Sequence, residues 1–103
     1  MVTAEEIIKL FGMKPLEKEG GFYVETYRAK DKISQTHLPD RLPGERNLAT
    51  AILYLLTPET LSRLHRLRSD EIYHFCLGDA VTMLQLHPDG SSEIGRASCR
   101  ERV

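Results

Sequence analysis

The sequence predicts an all-β domain preceded by one short helix. Three observations carry this. Several short apolar runs follow one another at close spacing, turn residues mark the junctions between them, and a helical pattern with a cap signature is confined to the first dozen residues.

The elements follow in order. TAEEIIKLFGM opens with Thr3 and, three residues on, Glu6, a capping-box pattern. Ile7, Ile8 and Leu10 or Phe11 then form a short apolar face, and Gly12 is the stop signal. KPLEKEGG reads as a turn-rich connection, and FYVETYRA (22–29), rich in aromatic and β-branched residues, as a strand. Strict alternation puts Tyr23, Glu25 and Tyr27 on one face, and Phe22, Val24, Thr26 and Arg28 on the other.

Residues 30–47 hold two prolines among many polar groups and read as a long loop. ATAILYLL (49–56) is the most apolar run and predicts a buried strand, broken by TPET. LSRLHRL, EIYHFCLG and AVTMLQLH are three further strand candidates, and HPDGSS closes with a turn signal. The three-residue spacing of Leu61, Leu64 and Leu67 leaves a helix as the alternative for residues 58–72.

The last stretch, EIGRASCRERV (93–103), has no periodicity and brings three arginines and the second cysteine. Back-translated, it can be written as the read-through of a widely used short-read sequencing adapter. Residues 93–103 are therefore set apart from the fold and expected to be unpacked. Residues 1–92 then form one part-domain whose later strands are missing, with edges left open.

Setting the tail aside moves the net charge from −1 to −2. No basic stripe remains, which argues against nucleic acid and anionic membranes as partners. The 41% hydrophobic and 28% charged composition is that of a soluble globular chain. No apolar run approaches the roughly 20 residues of a membrane span, and Glu5 and Glu6 stand where a signal peptide would be basic. Cys76, alone before the tail, fits a reducing compartment, so a cytoplasmic location is expected.

The chemistry concentrates in SRLHRLRSDEIYHFCLGD (62–79), which holds His65, Asp70, Glu71, Tyr73 and His74. Two strands joined at Arg68–Asp70 would bring His65 near Glu71. An imidazole beside a carboxylate suits general acid–base work, and also ligation of a divalent metal such as Zn, Fe or Mn. A solvated polar hairpin is the plain alternative.

His65-Arg-Leu-Arg-Ser-Asp-Glu71, followed by six residues and Gly78, resembles the first cupin motif, G-x5-H-x-H-x3-4-E-x6-G. Leu67 stands in place of the second histidine and Glu59 in place of the leading glycine. EGGFYVETYRA (19–29) and TAILYLLTPE (50–59) extend the likeness across most of residues 1–90. Together they are similar to a cupin branch known as a domain of unknown function and grouped with sugar-nucleotide epimerase-like jelly rolls.

The resemblance implies an incomplete cupin jelly roll, a double-stranded β-helix, over residues 1–92, and settles residues 61–67 as strand. It implies a small polar, sugar-like ligand inside the barrel and a homodimer in the full-length form. If the protein is an enzyme, an epimerase- or isomerase-like proton transfer without metal is expected, with His65 as base and Glu71 as the second catalytic group. One alternative is a metal-dependent oxygenase or isomerase. It would use His65, Glu71 and His74 as candidate ligands and a further histidine after Gly90, and Leu67 counts against it. The other alternative is a non-catalytic ligand-binding cupin.

Tyr23, Glu25, Tyr27, Arg66 and His74 are the candidate ligand-binding residues, and Arg28 joins Arg66 as a group able to hold an anion. Alternation sets His74 with Ile72 and Cys76, opposite Glu71, Tyr73 and Phe75, and turns Asp70 away from Glu71. His37 and His87 receive no role, and Cys76 is expected to pack as a small apolar residue.

Overall fold

Helix α1 spans Ala4–Phe11 in the computed structural model, which describes residues 1–98. Its ends are the ones the sequence marks. The Thr3 hydroxyl accepts from the Glu6 amide, and Gly12, in the left-handed conformation, closes the last turn. Ile7 and Ile8 are half-buried, whereas Leu10 and Phe11 stay exposed.

Strands β1 (Lys14–Pro15), β2 (Phe22–Arg28) and β5 (Thr50–Leu55) make an antiparallel sheet in the order β1-β2-β5. Between β2 and β5 the chain is not the featureless loop expected. Strands β3 (Lys32–Ile33) and β4 (Arg46–Asn47) pair with each other, and a 3-10 turn covers Gln35–His37. The Gln35 side chain holds the excursion together by donating to the Leu42 carbonyl and accepting from the Gly44 amide.

Strict alternation along β2 fails at one place. Glu25 faces Ile52 and Tyr27 faces Ala51, so Thr26 is a bulge residue. Its hydroxyl donates to the Ala51 carbonyl at 3.3 Å. Facing residues share a side of the sheet and neighbours alternate. Tyr27 therefore lies opposite Tyr23 and Glu25, and Arg28 comes to their side.

The chain divides into two units, Met1–Ser69 and the part from Asp70 onward. In the first, Met13, Ala29 and Leu42 are the buried hydrophobic residues. Strand β5 is not buried as expected: Thr50–Ile52 are exposed and Leu53–Leu55 half-buried. Residues 61–67 form neither strand nor helix, and Leu61, Leu64 and Leu67 are exposed. A strand needs a neighbour for its ladder, and no described strand pairs with this segment.

The second unit contains a hairpin of β6 (Val81–Leu86) and β7 (Ser92–Ala97), turned by HPDGS. The expected strand over 71–78 is absent for the same reason as in 61–67, and Ile72, Tyr73 and Leu77 are exposed. Residues after Ser92, expected to be unpacked, instead pair with β6 as far as Ala97. The rest of that tail, 99–103, lies outside the described residues.

The prediction of antiparallel strands with one short N-terminal helix holds. The described strands form three separate sheets and do not close into a barrel.

Candidate functional site

The best-built polar site belongs to the first unit and centres on His65. After β5 the chain turns at Thr57–Thr60, where the Thr60 hydroxyl accepts from the Thr57 amide at 2.8 Å. It then runs along the turn that precedes β2. Gly20 (φ 105°) lies so close to this run that a Cβ there would overlap the Leu61 carbonyl oxygen. A Cβ on Gly21 (φ 77°) would meet the Tyr54 hydroxyl at 2.8 Å. Both positions thus need glycine for conformation and for space.

Four hydrogen bonds from Arg63 and Ser62 lock the two segments together. The Arg63 amide donates to the Glu19 carbonyl at 2.7 Å. Its Nη1 donates to the carbonyls of Glu17 and Lys18 at 3.2 and 3.3 Å. The Ser62 hydroxyl donates to Glu19 Oε1 at 2.8 Å.

This places His65 between two acceptors. Its Nδ1 lies 2.6 Å from the Arg63 carbonyl oxygen and its Nε2 3.3 Å from Glu19 Oε1. A carbonyl oxygen only accepts, so Nδ1 carries a proton and Nε2 is the nitrogen free to gain or lose one. In the imidazolium form the ring makes an ion pair with Glu19. The two side chains are 31% and 25% accessible, so the pair is sheltered yet reachable. Ser62 donates to Glu19 rather than to the imidazole, so His65 is not placed to activate it as a nucleophile.

The expected partner of His65 was Glu71. Glu71 and His74 belong to the second unit, and both are exposed on a stretch without regular structure. The assignment of Glu71, Tyr73 and His74 to strand faces therefore lapses. Cys76, expected to pack inward, is exposed, with its Sγ 3.6 Å from the His74 carbonyl. The partner that sequence reasoning missed is Glu19. Its signal was the EGG triplet at the head of EGGFYVETYRA, read there only as a turn.

On the sheet, Lys14 pairs with Tyr23, and a shallow groove is lined by Gly12, Lys14, Tyr23, Val24 and Glu25. Glu25 is engaged there by Arg28, whose Nε and Nη2 donate to its carboxylate at 2.6–3.2 Å. Arg28 Nη1 donates to Asn47 Oδ1 at 2.9 Å. Glu25 raises the pKa of Arg28, first through these hydrogen bonds and then through its charge. Tyr27, on the other side of the sheet, does not share this groove, and Arg66 is exposed.

Among the described residues, no group of three or more His, Cys, Asp or Glu side chains could hold a metal ion. His65 and Glu19 offer two donors at most, and His65 Nδ1 is already turned to a carbonyl. The described residues do not fit a metal centre. Nor is any described helix long and apolar enough to cross a membrane.

The family expected from the cupin-like motif and the two stretches before it agrees with a direct comparison. Residues 5–99 match the family described as Cupin superfamily (DUF985). The chain belongs to the cupin superfamily. No curated protein matches it.

Proposed function

We propose that this cupin binds a small polar, sugar-like molecule and that His65 moves a proton on it, as an epimerase or isomerase does. The observation supporting this reading is the fixed orientation of His65. With Nδ1 turned to the Arg63 carbonyl, Nε2 is the one ring nitrogen able to exchange a proton, and a carboxylate stands beside it. In such a step Nε2 takes the proton from the carbon next to a carbonyl. The C–H pair moves into a C=C bond and the carbonyl oxygen takes up the charge. Return of that proton from Nε2 restores the carbonyl with the original configuration, and delivery of a proton from water on the opposite face gives the epimer.

The test is solvent exchange. The protein is incubated in D2O with a panel of keto-sugars and keto-sugar nucleotides, and proton NMR follows loss of the signal next to the carbonyl. Exchange is expected with at least one panel member, falling by roughly 100-fold or more in His65→Gln, the scale of a lost general base. Equal exchange in both proteins removes His65 from the reaction. Binding of a panel member without exchange replaces the enzymatic reading with the ligand-binding one.

A further inference from the structure

We propose that Glu19 is the positioning residue of the His65 site, acting as the ion-pair partner of Nε2, and that the Glu19–Gly20–Gly21 turn sets its place. This rests on the reading of His65 as the proton-moving group.

Four observations converge on it. Glu19 Oε1 faces His65 Nε2 at 3.3 Å, and the same oxygen accepts from Ser62 at 2.8 Å. The second contact fixes the carboxylate independently of the histidine. The main chain of Glu19 is tied to the same run of residues through the Arg63 amide at 2.7 Å. Behind it, Gly20 allows a backbone approach that any Cβ would block at the Leu61 carbonyl. Arg63 links both halves: its amide and guanidinium hold the Lys18–Glu19 side, and its carbonyl receives His65 Nδ1.

The two contacts on the ring have different work. The Arg63 carbonyl selects which nitrogen keeps its proton, and the Glu19 carboxylate sets a fixed negative charge beside the other, which attracts the imidazolium formed when that nitrogen takes a proton up. A carboxylate oriented by its own donor is a better-defined partner than a mobile surface one, because less side-chain freedom is lost on forming the pair.

Imidazole proton NMR of the intact 103-residue chain tests this without any substrate. At pH 5 an imidazole is ordinarily protonated and a glutamate ordinarily ionised. Both ring N–H protons of His65 are expected as downfield signals slow to exchange with water. Glu19→Gln keeps the shape of the side chain and an acceptor for Ser62. It should speed exchange of the Nε2 proton by about fivefold, the scale of one partly exposed ion pair, while leaving the Nδ1 proton slow. Ser62→Ala should produce a smaller change at Nε2 alone.

An Nε2 proton that exchanges equally fast in wild type and Glu19→Gln overturns the proposal, as does loss of both signals together in Glu19→Gln. Failure of solvent exchange with every keto-sugar would sink the catalytic reading and leave these signals in place, so the two claims fail separately.

Discussion

The two units of the chain are held together in different ways. In Met1–Ser69, side chains join segments far apart in sequence. Ser62 bonds Glu19 43 positions away, Arg63 bonds Glu17 46 away, Arg41 bonds the Arg68 carbonyl 27 away, and Arg28 bonds Asn47 19 away. From Asp70 onward, several side-chain bonds are local: Cys76 to His74, Gln85 to Met83, Asp89 to Ser91 and His87 to Glu93. A lone two-stranded hairpin is marginal in water. The contrast teaches that strand-forming sequence is common to both units, and that side chains tie distant segments of the first together.

The largest expected effect compares two glycines with nearly the same backbone. Gly20 has φ 105° and the Leu61 carbonyl where a Cβ would go, whereas Gly78 has φ 102° and nothing within 4 Å. Gly20→Ala should cost about 3 kcal/mol or more, strain plus steric overlap, and Gly78→Ala about 1 kcal/mol, strain alone. Urea unfolding followed by circular dichroism measures both, and equal losses would erase the distinction between the units.

Hydrogen exchange gives the next effect. Amides of β2 and β5 should exchange at least roughly tenfold more slowly than those of β6 and β7, since local stability follows packing and long-range bonding. Chymotrypsin should correspondingly cut at Tyr73, Phe75 or Leu77 before Phe22 or Tyr23. First cuts in β2 would reverse the ranking.

A smaller effect is expected from Asn47→Ala. It removes the bond from Asn47 Nδ2 to the Ala29 carbonyl, 2.8 Å, and the acceptor of Arg28 Nη1. A loss of about 1 kcal/mol is expected in the same urea titration, with the exchange of β6 and β7 unchanged.

The smallest lies in the turn of the hairpin. The hydroxyl and amide of Ser91 donate to Asp89 and lower its pKa below the ordinary 3.8. A carboxyl depressed by folding adds stability above its unfolded pKa and loses it as the pH falls through the folded one. The turn should therefore hold at neutral pH and loosen only in acid below about pH 4. Amide NMR of Ser91 between pH 6 and pH 2 would show this, and a midpoint above the ordinary aspartate value would contradict it.

Much of the fold was legible because its signals are local. The cap at Thr3, the stop at Gly12, the runs that became β2, β5 and β6, and the turn at His87–Ser91 each depend on neighbours a few residues apart. The misreadings share a cause. Alternation along β2 assumed an even register, and the Thr26 bulge is visible only against β5. The runs 61–67 and 71–78 read as strands, the first on the family resemblance, yet a strand exists only where a second one completes its ladder.

The site shows the same division. The sequence by itself singled out His65, marked the family through the cupin-like motif and the two stretches before it, and placed one helix among short strands. The tertiary structure alone decided that His65 meets Glu19, which of its nitrogens faces a carbonyl, and that Arg28 rather than Tyr27 shares a side with Glu25. Helix caps and strand periods are written within a few residues of themselves. A partner more than forty positions away is chosen by how the chain closes on itself, and here two glycines let it come close enough.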